Sequence, residues 1–363
     1  MHLSLNETKP DVEKTIRELT ALYDDAYRHQ GGHVTLRTLP PSDVDYYERI
    51  DLTAFDFTSS RGIDRYVDVL CTELEASLRA RRDLDDNMVP SVSPVLGIGD
   101  YVAFVGGDIV FQPDTSWSQP LLDRVDGYKA LPPLGTAVWY TRFLDICERI
   151  LQRFAGTGIP FMRGFFSPLD LANALRGDDL YLDFYDDPDA LRGLLDYCAT
   201  AIITFAGDIY ALARRYLGDT PYGMWWLDGN INMSEDIACM ISGELYREFC
   251  APHTQRVINH FGRGHMHCHS RAMYLVREIC ALDNVVHLWL ATDPNQPRPI
   301  DHIPELVNDA RGVCLAIDCE DFSEIEANYG ELKKGNFSIC LPTRDMEEAR
   351  QVIWRFRALE QQA

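Results

Sequence analysis

The sequence predicts an α/β protein, a (β/α)8 TIM barrel with an N-terminal helical elaboration. Three observations predict it. From about residue 156 short apolar runs alternate with helical patterns, and each run ends in Ser, Asp, Thr or Pro. The 363 residues accommodate a barrel of about 250 residues plus insertions. No Gly-x-Gly-x-x-Gly follows a predicted strand, so the open dinucleotide-binding sheet has no support.

Taken in order, residues 1–85 read mostly as helices. EKTIRELTALYDDAYRHQ places Ile16, Leu19, Leu22 and Tyr23 at helical spacing, and a second helix over 61–82 carries Tyr66, Val69, Leu70, Leu74 and Leu78 on one face. We divide the chain into this elaboration, 1–85, packed on a barrel of 86–363. Strands are expected near 91–96 and 102–105, followed by a loop-rich stretch over 108–134. Six strand-then-helix units follow. IPFMRGFF leads into SPLDLANALRG, where Ser167 caps, Pro168 suits the first helical position and Asp170 completes a capping-box-like pattern. YGMWWLD precedes Ser234, with Glu235 and Asp236 as acids at a helix start. HMHCH, VVHLWLAT, VCLAID and NFSICLP supply the remaining strands; Ser323 caps the helix after VCLAID, and MEEARQVIWRFRAL closes the chain. Alternation of this kind implies a parallel sheet covered by helices, with chemistry at the C-terminal strand ends.

Composition narrows the class. Hydrophobic residues are 46% and charged residues 25%, a globular balance. The formal charge of −22 repels phosphate backbones and anionic lipid, so nucleic acid and membrane are not expected as partners. The first residues lack a basic n-region and an apolar h-region, and ten cysteines show no disulfide-framework spacing. The expected location is cytoplasmic, with the thiols reduced.

The densest chemical signal is Gly264-His265-Met266-His267-Cys268-His269-Ser270. On a strand, residues i, i+2 and i+4 share a face, so His265, His267 and His269 project together and Cys268 points away. His-x-His on a strand offers two imidazoles to one metal; the plainer alternative is a set of hydrogen-bonded core histidines. Cys340 lies near the end of the last strand, where it serves either as a metal ligand or as a small core residue. Asp228, Asp293 and Asp318 are expected at strand ends, as catalytic carboxylates orienting ligands or moving protons, or as caps of the next helix. Trp225, Trp226 and Trp289 floor a pocket or pack the core.

With these residues in place, the chain resembles the uroporphyrinogen decarboxylase superfamily over roughly 85–360, most closely the branch of cobalamin-dependent methyltransferases that methylate coenzyme M. GIPFMRGFFSPLDLANALRG, over 158–177, is similar to the family's strand, Gly-Pro or Ala-Pro step and helix. Tyr246, Phe249 and Pro252 match its Tyr-x-x-Phe-x-x-Pro stretch. His267-Cys268-His269-Ser270 stands where those enzymes carry His-x-Cys-Gly, and Cys340 stands at their late Cys. The resemblance implies a (β/α)8 barrel and a zinc site of His267, His269 and Cys340, with His269 in place of the first thiolate and a more Lewis-acidic metal as a result. It also implies a thiol or hydroxyl nucleophile that accepts a methyl group, and a corrinoid on a separate protein as a partner. The decarboxylases' N-terminal arginine pair has no good match; Arg61 and Arg65 are the nearest. The expected function is therefore a zinc-dependent methyltransferase-like enzyme acting on a small molecule. The alternatives are a metal-independent decarboxylase of a small or tetrapyrrole carboxylate and a non-catalytic ligand-binding barrel. Residues 1–85 are free to make a dimer contact.

Overall fold

Seven parallel strands form the central sheet: β1 (Val34–Leu39), β2 (Phe165–Phe166), β3 (Asn230–Ser234), β4 (Arg263–His269), β5 (Val285–Ala291), β6 (Cys314–Asp318) and β7 (Asn336–Pro342), in the order β1-β7-β6-β5-β4-β3-β2. The computed structural model describes residues 3–41, 49–218 and 229–362. The principal helices are α1 (Val12–Tyr27), α2 (Ser60–Arg81), α3 (Val138–Phe154), α4 (Pro168–Arg176), α5 (Pro188–Leu217), α6 (Ala251–Phe261), α7 (Ile303–Ala310), α8 (Phe322–Leu332) and α9 (Met346–Glu360). The strands are buried on both faces, as parallel sheets covered by helices must be.

The local signals account for most elements. Ser167 accepts the Asp170 N–H at 3.2 Å and Pro168 opens α4. Ala349, Val352, Ile353 and Phe356 form the buried stripe of α9. Asp321, not Ser323, caps α8, because its carboxylate accepts the Ser323 N–H at 2.7 Å. α5 is the one described helix long and apolar enough by composition to cross a membrane. Its Leu191, Leu194, Leu195, Cys198 and Phe205 are buried in the main core.

Two expectations about the sheet change. The segment 102–105 is no strand; it overlaps a helical turn, Asp100–Ala103. In the segment 91–96 only Val92 makes a bridge, to Phe161. The eighth place is held instead by isolated bonds. Asn87 exchanges hydrogen bonds with Leu36, its N–H to the Leu36 carbonyl at 2.7 Å and its Oδ1 accepting the Leu36 N–H at 3.0 Å. Val92 bonds Pro160 and Met162, both at 2.8 Å. The segment 87–92 thus spans the gap between β1 and the stretch leading into β2, without a continuous ladder. Pro90, Pro94 and Pro160 supply the reason, since none has an N–H to give.

Residues 1–85 supply helices and also β1, which pairs along its length with β7. α1 packs Leu19, Leu22, Tyr23 and Ala26 against Val89, Val286 and Cys314, near the N-terminal ends of the strands. A buried ionic knot ties this region to the sheet. The Asp86 carboxylate accepts from Thr38 N–H and Oγ1, both 2.9 Å, and from Arg81 Nη2 at 2.9 Å; Lys9 Nζ lies 3.7 Å away. Burial opposes ionisation of Asp86, but Arg81, Lys9 and the Thr38 bonds outweigh it and hold its carboxyl below the ordinary value.

Asp86→Ala should cost about 3–5 kcal/mol in urea unfolding, because Arg81 and Lys9 are then buried without their counter-charge. The native Asp86 is held below its unfolded pKa. Its contribution is therefore complete above the unfolded value and falls away as pH drops through the native one. The variant's acid unfolding limb should accordingly be flatter than that of the natural protein.

Candidate metal centre

Parallel register decides which side chains meet. Ser234 of β3 pairs with His267 of β4, which pairs with Trp289 of β5, and His269 pairs with Ala291. In-register residues share a face, so His267 and His269 stand on one face near the strand C-termini. The chain leaves β3 through Glu235 into a short 3-10 helix, Asp236–Met240. That turn brings Asp236 over the β4 end. Asp236 Oδ1 lies 2.9 Å from His267 Nδ1 and 3.4 Å from His269 Nε2. The other nitrogen of His269, Nδ1, lies 2.9 Å from Asp293 Oδ1, just beyond β5.

Asp236, His267 and His269 form the one described group of three or more such donors whose ligand atoms converge, all within 4.8 Å of one another. The group fits a divalent metal on its own geometry. Asp236 Oδ1 is buried and meets both ring nitrogens without an aligned hydrogen bond to either. Two imidazoles and a carboxylate are a usual zinc set with a fourth position open. Asp293 holds Nδ1 of His269 and so turns Nε2 towards the cluster, the carboxylate–histidine arrangement that supports metal ligands.

Electrostatics follow from these contacts. Burial disfavours a charged Asp236, but contact with His267 and His269 wins and holds its carboxyl well below the usual range. The close Asp236 carboxylate, against the cost of burial and with help from Asp293, raises His269 to about 9. Burial raises Glu235 to about 7 despite bonds from Thr254, Ser167 and Tyr246.

A cleft of about 580 Å³ opens over the centre, lined by Asp236, His269 and Asp293 together with Tyr181, Met240 and Arg271. A more apolar lobe of about 320 Å³ adjoins it, walled by Ile98, Val102, Trp117 and Phe166 and sharing Asn173, Asp236 and Ile237 with it.

The other expected residues fall as follows. His265 does not join the cluster: it is 1% exposed and stacks on His287 at 5.2 Å with Tyr23 at 4.8 Å, and burial keeps it neutral by lowering its pKa well below the ordinary value. Cys340 does not join it either. Its strand, β7, stands beyond β5 and β6 from β4, roughly 14 Å along the sheet at about 4.8 Å per strand. Cys340 pairs in register with Asp318 and Arg37, and burial pushes its thiol up to about 11. Asp293 reaches the site. Asp318 ends β6, where it accepts the Thr292 N–H at 3.1 Å and so shapes the loop carrying Asp293. Asp228, Trp225 and Trp226 lie outside the described residues, and the neighbouring strand, Asn230–Ser234, starts after Asp228 rather than ending at it. Trp289 packs edge-on to His267 at 4.8 Å. Arg61 and Arg65 are exposed on α2. Sequence reasoning missed the third donor, Asp236, having given it a helix-terminal role; its only local signal was its place just past a strand.

No family model matches the chain, and no curated protein matches it significantly. Among solved structures, a methyltransferase from Methanosarcina mazei superposes with a TM-score of 0.62 at 12% identity, over 94% of this chain and 99% of that one. The two share a fold. The metallated homocysteine methyltransferase MmuM from Escherichia coli, at 9% identity over 62% of this chain and 90% of its own, has a TM-score of 0.28, too low to carry an argument.

Asp293→Asn should lower zinc affinity about 10–100-fold by competitive chelator titration, the usual cost of removing a carboxylate behind a ligating histidine. Cys340→Ser should leave that affinity unchanged. Loss of zinc in the Cys340 variant alone would return the thiolate to the ligand set.

Proposed function

We propose that the protein is a zinc-dependent methyltransferase-like enzyme whose metal is held by Asp236, His267 and His269. The convergence of these three donors at the strand C-termini is the observation that carries the reading. The fold shared with the Methanosarcina mazei methyltransferase supports methyl transfer as the chemistry, in a barrel-like frame whose gap the segment 87–92 spans.

Zinc bound there would lower the pKa of a thiol or hydroxyl and fix it as the nucleophile that accepts a methyl group. The chain's own residues do the rest. Asp293 fixes the tautomer and orientation of His269 through Nδ1. Asp318, through the Thr292 N–H, holds the loop that presents Asp293. The cleft of about 580 Å³ admits a small-molecule acceptor beside His269, and the adjoining lobe takes apolar matter. A corrinoid on a separate protein is the methyl source that the family resemblance suggests. All ten cysteines are free, which supports a reducing, cytoplasmic setting.

Metal analysis of purified protein should find one zinc per chain, lost in Asp236→Ala and in His269→Ala with the fold retained by circular dichroism. Zinc-loaded protein given methylcobalamin and a small thiol should consume the methyl–cobalt absorbance, and the two variants should not. Equal consumption by the zinc-free variants would remove the metal from the reaction. Zinc uptake without transfer to any thiol or hydroxyl tested would leave a binding barrel instead.

A further inference from the structure

The turn that carries Asp236 is gripped from outside the cluster by a second carboxylate. Asp170, in the first turn of α4, is 3% exposed and spends both oxygens on the chain just past β3. Its Oδ2 accepts from Ser234 Oγ at 2.6 Å and from the Asp236 N–H at 3.0 Å. Its Oδ1 accepts from the Ile237 N–H at 3.0 Å. The expected capping box is thus half formed: Ser167 receives the Asp170 N–H, while the Asp170 side chain turns away to the neighbouring loop.

The residue between Ser234 and Asp236 is anchored differently. The Glu235 N–H bonds the His267 carbonyl at 2.7 Å. Its carboxyl accepts from Ser167 Oγ and Thr254 Oγ1, both 2.8 Å, and from Tyr246 Oη at 3.0 Å. Glu235 therefore ties the end of β3 to α4 and α6 but makes no bond to the backbone of Asp236 or Ile237. The Glu235 carbonyl accepts the Ala238 N–H at 3.2 Å, but among the described side chains Asp170 alone takes the N–H groups on both sides of the Asp236 Cα. A one-ångström error in a ligand's Cα is enough to spoil a metal site, so such grips matter beyond stability.

We propose that Asp170 is a positioning residue for the metal centre: its carboxylate, by holding the N–H groups of Asp236 and Ile237 and the hydroxyl of Ser234, sets the direction in which Asp236 Oδ1 meets His267 and His269. The inference rests on the metal reading above. All three bonds are accepted from donors, so an amide in place of the carboxylate turns an NH2 group against at least one of them. Asp170→Asn keeps the size of the side chain and breaks the grip.

The test uses zinc affinity from chelator competition and the visible spectrum of the cobalt-substituted protein, on the full chain. Asp170→Asn should bind zinc about tenfold or more weakly and shift the cobalt bands, with its circular dichroism unchanged. Ser234→Ala, which removes one of the three bonds and leaves the Asp170 side chain in place, should move both readouts in the same direction by less. In an Asp236→Ala background, which has no carboxylate left to aim, adding Asp170→Asn should cause no further loss of affinity. Natural affinity and spectrum in Asp170→Asn would overturn the proposal. So would an equal loss in the Asp236→Ala background, which would make Asp170 act on the fold at large. If Asp170→Asn does not fold, Ser234→Ala decides: unchanged affinity and bands refute the grip. Failure of the natural protein to take up zinc would defeat the metal reading and this one together, whereas zinc binding unaffected by Asp170 defeats this one alone.

Discussion

The register between β3 and β4 is the constraint on which the site depends. Ser234 beside His267 leaves the chain two residues to reach Asp236, and the end of β4 lies directly across from that turn. A slip of one residue in β4 would turn His267 and His269 to the outer face, away from Asp236, because side chains alternate along a strand. The register is protected on several sides. Met266 and Cys268, on either side of His267, are fully buried, and Met233 on β3 is buried too, so a slip would drive imidazoles into the apolar layer under the helices. Gly262, at φ +113°, lets α6 turn into β4 without an extra residue.

Around that register the protein gathers carboxyl groups. Asp170, Glu235, Asp236 and Asp293 lie within a few residues of the two imidazoles in space, and each is held by several donors. Buried carboxylates are costly unless paired: burial pushes Asp170 well up and Glu235 to about 7 despite their bonds, whereas the two imidazoles hold Asp236 well below the usual range. The arrangement suits a cation at the centre. It sits on a chain whose formal charge is already −22, so the acidity of the surface and that of the site point the same way.

The opposite end of the sheet behaves as scaffold. His265 and His287 look, in the sequence, like members of the same histidine-rich signal. In the fold they lie beneath it, stacked on each other and closed off by Tyr23 of α1, and burial lowers both pKa values. One strand therefore carries both a core histidine and two ligand candidates, separated only by depth along the strand. Depth is set by which helix covers which end, and α1 is more than two hundred residues away in the chain.

The local grammar of the sequence determined the strands β4 to β7, the helices that follow them and the pairing of His267 with His269 on one face. Those depend on periodicity and capping, which act over a few residues. Asp293 was legible too, since it ends an apolar run. Only tertiary structure decided that β1 lies inside the sheet beside β7, that proline leaves the eighth place as isolated bonds, and that Cys340 stands three strands away from the histidines of the centre. It alone decided that Asp236 is the third donor and that Asp170, 66 residues earlier, holds it in place. The physical reason is that strand order and loop approach depend on contacts between distant segments, whereas residue spacing reports only which face each side chain takes within its own element.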